Sequence, residues 1–205
     1  MTLIEQSPAI FSAWLLWCGL HSLLASTRVR GKLVAMGLKD ENYRLIYVTF
    51  SIASLALLMG WELSTVEIPR PENLYWQIIR GLCFLYATTM FLAGAKQYDL
   101  KTFLGLGNNG EQGKRKGLKT NGILSRVRHP WYSGGLALAC GLGATPLDRI
   151  DLRILLAVYL VVGCMIEERR LAREFGSAFS QYKKRVPMLI PRVIKGQGQD
   201  KGVWT

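Results

Sequence analysis

Five apolar stretches constrain the fold more than any other feature of this sequence. They cover residues 9–26, 43–61, 74–95, 131–147 and 152–166. The first three approach the roughly 20 residues that an α-helix needs to cross about 30 Å of hydrocarbon. Because only residues 148–151 separate the last two, we expect these to form a short antiparallel hairpin. The sequence therefore predicts an all-α polytopic membrane protein with five transmembrane helices.

The basic residues lie in alternate loops. Of the 26 lysines and arginines, 22 fall in segments 27–44, 96–130 and 167–205. Because positively charged loops stay in the cytoplasm, this asymmetry places the first and third loops and the C-terminus inside, and the N-terminus outside. The first stretch lacks a basic n-region, so we interpret it as a retained helix rather than a signal peptide. We expect an integral protein of a bacterial inner membrane.

The chain divides into four segments. Residues 1–100 hold helices one to three, 101–130 form a cytoplasmic Gly- and Lys-rich loop, 131–192 hold the hairpin and a C-terminal cofactor-binding segment, and 193–205 form a flexible tail. After residue 166, apolar residues such as Leu171, Phe175 and Phe179 recur at steps of three or four. A basic face lies opposite, which predicts an amphipathic C-terminal helix along the cytoplasmic membrane surface.

Composition excludes several classes of function. The net charge of +12 would suit nucleic-acid binding, but the basic residues flank apolar runs, so we expect no nucleic-acid partner. Each of the four cysteines lies inside an apolar run, and their spacing fits neither disulfides nor a zinc site; we predict no metal. The loop sequence Gly105-x-Gly107-x-x-Gly110 has no preceding strand, so we interpret it as a chance match to the dinucleotide-binding pattern.

Two polar clusters at helix ends are candidate sites. Arg128-His129-Pro130-x-Tyr132-x-Gly134 begins the fourth helix, where free backbone N–H groups favour an anion; an ordinary helix start with aromatic anchors explains it equally well. Glu167-Glu168 follows the fifth stretch directly. Carboxylates at the edge of hydrocarbon indicate either a cationic ligand or pairing with neighbouring arginines.

The two clusters belong to a longer pattern. Thr120-x-Gly122 precedes the Arg-His-Pro segment, and Glu167-Glu168 is followed by Leu171-x-x-x-Phe175-Gly176, Tyr182 and Val186-Pro187. In this order, the C-terminal part of the chain, from Thr120 onward, resembles membrane methyltransferases related to isoprenylcysteine carboxyl methyltransferase and phospholipid N-methyltransferase. The first half, with His21-Ser22 and Tyr43-Arg44-x-x-Tyr47, resembles a bacterial branch that contains methanethiol S-methyltransferases and NnrU-type membrane proteins.

The resemblance implies a methyltransferase that uses S-adenosyl-L-methionine, bound in a pocket between the hairpin and the C-terminal helix. It assigns cofactor binding to Arg128, His129, Tyr132, Gly134, Glu167 and Glu168. His129 and Tyr132 would contact the cofactor, the two glutamates would hold its ammonium group or cap the pocket, and Arg128 would neutralise its carboxylate. No catalytic residue is assigned. The acceptor would be a small or lipophilic thiol, a carboxylate or a lipid amine at the bilayer.

Two alternatives remain open from the sequence. An NnrU-like haem protein or isomerase would use His21 and His129 as iron ligands. A non-enzymatic scaffold would bind anionic lipids through its basic faces. Phe179 stands where the methyltransferase pattern has a tyrosine, and the loop at 105–117 is unusually rich in Gly and Lys; both departures leave the acceptor open.

Overall fold

The computed structural model describes residues 3–65, 74–97, 117–142 and 149–192, and their regular structure is entirely helical. The helices are α1 (Leu3–Ala25), α2 (Thr27–Ala35), α3 (Asp40–Thr65), α4 (Leu74–Ala95), α5 (Pro130–Cys140) and α6 (Ile150–Arg185), with a short 3₁₀ helix at Gly122–Ser125. The predicted all-α class is confirmed for these residues. The Gly105-x-Gly107-x-x-Gly110 motif and the predicted tail at 193–205 lie outside them.

Three of the described helices are long and apolar enough to cross a membrane. The spans are Pro8–Ala25, Asn42–Glu62 and Leu74–Ala95, within two residues of the first three predicted stretches. Many of their large apolar side chains face outward, including Leu57 and Leu85. Such surfaces are stable in lipid and not in water, so the protein is an integral membrane protein.

The segment between the first two spans, predicted to be a loop, contains a helix. Helix α2 begins after Ser26, whose hydroxyl accepts a hydrogen bond from the Val29 N–H at 3.3 Å. Serine is among the preferred residues at this position because it satisfies a free N–H of the first turn. On α2, the Arg30 guanidinium binds the Asp40 carboxylate at the start of α3 through two hydrogen bonds of 2.6 and 2.5 Å.

The described residues form two compact units. The first comprises α1, α2, α3 and residues 149–155, and the second comprises most of α4, the 3₁₀ helix, α5 and residues 156–192. In the first unit, side chains of α1 and α3 form a ladder of hydrogen bonds. The Trp17 indole donates to Ser54 Oγ at 3.0 Å. The ring nitrogens of His21 lie 3.1 Å from Ser51 Oγ and 3.0 Å from the Tyr47 hydroxyl. Such polar contacts hold helices together in lipid.

The same unit buries one carboxylate. Glu62, near the end of α3, is 4 % exposed. Its Oε1 lies 2.9 Å from Arg149 Nη1, and its Oε2 accepts a hydrogen bond of 3.3 Å from the Trp14 indole. A buried carboxylate needs such partners to remain charged, so this pair fastens the start of α6 to α3.

In the second unit, α4 and α5 pack closely through small residues. A Cβ atom on Gly134 would lie 3.1 Å from both the Ala87 carbonyl oxygen and Met90 Cβ, and one on Gly141 would lie 3.1 Å from Cys83 Cβ. Glycine lets two backbones approach in this way. Gly134 therefore has a packing role in the structure, on the side of α5 that faces α4.

Helix α6 reverses direction at Gly176. This residue has φ 52° and ψ −120° inside an otherwise helical run, a conformation that is open only to glycine. Fifteen residues separate Glu168 from Lys183, which would be about 22 Å on a straight helix. Their side chains nevertheless meet at 2.8 Å, so the part of α6 after Gly176 folds back along the part before it.

The turned-back segment contributes a small core. Phe179, Tyr182 and Val186 are at most 7 % exposed and pack with Leu118, Leu171 and Phe175. The Tyr182 hydroxyl donates to the Leu124 carbonyl oxygen of the 3₁₀ helix at 2.6 Å. The apolar face that the sequence predicted to lie on the membrane surface is therefore covered by protein, because the bend at Gly176 turns it inward.

Candidate functional site

The start of α5 and the middle of α6 meet in the second unit. Arg128 Nε donates to Glu168 Oε1 at 2.7 Å, and Arg128 Nη2 lies 2.5 Å from the same oxygen. The two side chains are only 6 % and 7 % exposed. The structure thus brings together the two clusters that are 40 residues apart in the sequence.

Arg128 also binds the backbone at the C-terminal end of α6 and just beyond it. Its Nη1 donates to the carbonyl oxygens of Lys183, at 3.0 Å, and Val186, while its backbone N–H donates to the Pro187 oxygen at 2.9 Å. All three guanidinium nitrogens are bonded within the protein. Arg128 is therefore engaged as a structural tie, and its predicted pairing with a cofactor carboxylate would require breaking these bonds.

Glu168 completes an ion triad with Arg128 and Lys183. Its second oxygen lies 2.8 Å from Lys183 Nζ. Burial alone would raise the pKa of the Glu168 carboxyl, but the hydrogen bonds from Lys183 and Arg128 outweigh it and hold this pKa below its usual value. Lys183 is not among the residues predicted from the sequence, because only the reversal at Gly176 brings it here. The one available signal was a glycine inside a helical pattern.

His129 lies at the N-terminal end of α5 and is 5 % exposed. Its Nε2 is 3.4 Å from Glu168 Oε1, and its Nδ1 is 4.0 Å from Glu167 Oε2. Burial lowers the pKa of this imidazole, against the opposing effect of the two carboxylates. Among the described residues Nε2 has no hydrogen-bond partner. A buried polar atom without a partner is uncommon and calls for an explanation.

Tyr132 and Glu167 lie beside this histidine. The Tyr132 ring meets the His129 ring edge to face, with centroids 5.7 Å apart, and it interacts with the Glu167 carboxylate. The Glu167 side chain is 42 % exposed, whereas Glu168 is buried. The charged groups of the ion triad already pair with one another. His129, Tyr132 and Glu167 are therefore the side chains of this cluster that could contact a ligand.

The sixth predicted residue, Gly134, packs against α4 rather than joining this cluster. A cavity of about 400 Å³ in the same unit is lined by Thr89, Leu92, Ala93, Lys96, Gln97 and Ile123. None of the six predicted site residues lines it. The cavity therefore shares no lining residue with the cluster around His129.

His21, the other histidine of the haem alternative, is hydrogen-bonded within the first unit. Both ring nitrogens of His21 are within hydrogen-bonding distance of hydroxyl groups on α3, so iron could bind there only if one of these bonds broke. No group of three or more His, Cys, Asp or Glu side chains in the described part of the chain could hold a metal ion.

The pKa shift of His129 makes the stability depend on pH. Because the folded protein holds the pKa of this imidazole below 6.5, the unfolded chain takes up the proton first as the pH falls. The free energy of unfolding should therefore decrease as the pH drops below about 6.5. In thermal unfolding between pH 7.5 and pH 5.5, we expect His129→Gln to show a flatter dependence of Tm on pH than the wild type. Equal slopes for the two proteins would contradict this expectation.

Comparison with known proteins identifies the family. Residues 9–195 match the family described as NnrU protein. Two relatives from Bradyrhizobium diazoefficiens are methanethiol S-methyltransferase 1, 29 % identical over 83 % of the chain, and methanethiol S-methyltransferase 2, 25 % identical over 77 %. A Nurim homolog from Drosophila pseudoobscura is 27 % identical over 74 % of the chain and is covered over 64 % of its own length. The chain spans 62 % of the length of each bacterial relative. No solved structure matches it significantly. The chain therefore belongs to the NnrU family.

Proposed function

We propose that this protein is a membrane methyltransferase that uses S-adenosyl-L-methionine and methylates a small or lipophilic acceptor at the cytoplasmic face. Two bacterial relatives are named as methanethiol S-methyltransferases, and both clusters of the methyltransferase pattern meet at one place in the fold. The observation that carries the proposal is this meeting of the two clusters, which sets His129, whose Nε2 makes no hydrogen bond within the described residues and lies 3.4 Å from Glu168 Oε1, beside the partly exposed Glu167.

The residues present suit the charges of this cofactor. S-adenosyl-L-methionine would supply a methyl group activated by a positively charged sulfur, and it also carries an ammonium and a carboxylate group. Glu167 offers an accessible carboxylate for the ammonium group, as charge-assisted hydrogen bonds require. His129 offers a ring nitrogen that makes no hydrogen bond within the described residues, although it lies 3.4 Å from Glu168 Oε1, and Tyr132 offers an aromatic surface next to both.

The ion triad has a different role in this proposal. Arg128, Glu168 and Lys183 hold the turned-back segment of α6 against the start of α5, and so they fix the positions of His129 and Glu167. Rigid support of this kind matters because in-line displacement needs the acceptor about 3–3.5 Å from the methyl carbon and correctly aligned. A thiolate or carboxylate acceptor needs no further activation, so we assign no general base.

The proposal includes five membrane crossings. The fourth and fifth would be the apolar stretches 131–147, which begins in α5, and 152–166, which lies in α6. Together with the positive charge of alternate loops, an odd number of crossings puts the N-terminus outside and the C-terminus in the cytoplasm. His129 and Glu167 then lie at the inner membrane surface, where a water-soluble cofactor and a lipophilic acceptor can meet.

Calorimetric titration of the detergent-purified protein with S-adenosyl-L-methionine and S-adenosylhomocysteine tests the proposal. His129→Ala and Glu167→Gln should each weaken binding at least tenfold, about 1.4 kcal/mol. Glu174→Gln is the matched control, because this exposed glutamate lies on the same helix and forms a loose ion pair with Arg170 at 3.9 Å, away from His129; its affinity should equal that of the wild type.

Two outcomes would overturn the proposal. The first is a wild-type protein that binds neither compound, or variants that bind both as tightly as the wild type. The second is a haem Soret band in the purified protein, which would favour the haem alternative instead. Formation of S-adenosylhomocysteine when methanethiol is supplied would extend the support from binding to turnover.

A further inference from the structure

The cavity at the C-terminal end of α4 is lined by apolar residues at one end and by a lysine at the other. Leu92, Ala93 and Ile123 form an apolar part, and Thr89 adds no free donor, because its hydroxyl already bonds the Leu85 carbonyl oxygen at 2.8 Å. Lys96 stands at the other end of the lining. The cavity therefore has an apolar part within the membrane span and a cationic part just beyond it.

Neither α4 nor the described segment 117–142 supplies a carboxylate to the cationic part, because their described residues contain no aspartate or glutamate. A second lysine, Lys119, is held close by, since its Nζ donates to the Gln97 carbonyl oxygen at 2.6 Å. Two lysines therefore stand beside one cavity, with no internal anion from these segments to balance them.

The cavity also lies beside the end of a membrane span. The α4 span runs from Leu74 to Ala95, so Thr89, Leu92 and Ala93 lie in its last two turns, where hydrocarbon gives way to headgroups. Leu92 is 61 % exposed, so lipid can reach this part of the lining. A volume of about 400 Å³ falls within the range typical of small-molecule sites and suits part of an acyl chain together with the glycerol region.

From this arrangement we propose that the cavity binds an anionic phospholipid of the surrounding bilayer. An acyl chain lies along Leu92, Ala93 and Ile123, and the phosphate group lies at Lys96. Charge complementarity selects this occupant, since an amphiphile with no net negative charge would leave the two lysines unbalanced. The site shares no lining residue with the cluster around His129, and the inference does not depend on the proposed methyl transfer.

Thermal unfolding in detergent with added short-chain lipids tests this inference. Dioctanoyl phosphatidylglycerol should raise the Tm of the wild type more than equal concentrations of dioctanoyl phosphatidylcholine, because a ligand that binds only the folded state stabilises it. Lys96→Gln should weaken the apparent affinity for phosphatidylglycerol about fivefold, in line with the contribution of one lysine near a lipid surface. Ala93→Phe should fill the cavity and abolish the response to both lipids.

The controls separate this site from general attraction to anions. Lys184→Gln removes an exposed lysine of α6 that lines no part of the cavity, and it should keep the wild-type preference. Equal stabilisation by both lipids would overturn the inference, and so would full preference for phosphatidylglycerol in Lys96→Gln and Ala93→Phe. An equal effect of inorganic phosphate or octanoate would overturn it as well, by showing that a free anion suffices.

Discussion

Replacing Glu168 with alanine should lower the free energy of unfolding by about 3–5 kcal/mol, the largest effect we expect from any single substitution here. The variant leaves the Arg128 guanidinium buried at 6 % exposure without its carboxylate and removes the partner of Lys183. Denaturant or thermal unfolding in detergent measures the loss. It should be accompanied by faster proteolysis after Gly176, since the triad holds that segment in place.

Two further variants serve as controls for Glu168→Ala. Glu174→Ala removes a carboxylate of the same helix that is 53 % exposed in a loose pair with Arg170, and such surface pairs contribute about 0–1 kcal/mol. The double variant Arg128→Met with Glu168→Met replaces both buried charges with apolar groups. It should recover part of the loss but not all, because the carbonyl oxygens of Lys183 and Val186 then lose the donor that Arg128 supplies. If Glu168→Ala were no more destabilising than Glu174→Ala, the buried pair would not support the fold.

Replacing Gly176 with alanine should destabilise the protein by about 1–3 kcal/mol, because a Cβ atom is strained at this backbone conformation. The cause is conformational and not steric, since nothing lies within 4 Å of the position that the Cβ would occupy. The variant must either bear the strain or straighten the helix, and straightening would pull Lys183 away from Glu168. Thermal unfolding measures the first effect. Because the Lys183 side chain is already 54 % exposed, the second is measured by the reactivity of its amine toward an amine-reactive reagent, which the ion pair with Glu168 lowers.

Gly81→Ala is the matched control for this substitution. Gly81 lies inside α4, also with nothing within 4 Å of a Cβ, but its φ is not positive. Alanine should therefore be tolerated there, since it is the better helix former. A Gly176→Ala protein as stable as the wild type, with unchanged labelling of Lys183, would show that the reversal does not depend on glycine.

Periodicity and apolar length were sufficient to locate the long helices. The predicted stretch 74–95 coincides with α4, and 43–61 lies within α3. The short helix α2 was missed because its residues include Arg28, Arg30 and Lys32 and carry no apolar stripe. Its main sequence signal was the capping serine at its start. Local capping is a weaker signal than apolar length, so elements that depend on it are easily taken for loops.

The site was predictable in part for a similar reason. Arg128, His129 and the two glutamates stand at ends of apolar runs, where charge is conspicuous in a sequence. Lys183 stands in a run of basic residues that looks like a solvent-exposed helix face, and only the positive φ of Gly176 turns it toward Glu168. The packing role of Gly134 likewise depends on α4, which no local pattern around residue 134 reveals.

The hydrogen-bonded ladder between α1 and α3 has a consequence for how members of this family diverge. Each rung joins a donor on one helix to an acceptor on the other, as Trp17 joins Ser54 and His21 joins Tyr47 and Ser51. Losing one member would remove a polar contact that its counterpart makes across the helix pair, and such a loss is costly at membrane depth, where water does not replace the bond. We therefore expect correlated substitution at these positions, so that homologues with an apolar residue in place of His21 also lack the two hydroxyl groups opposite it.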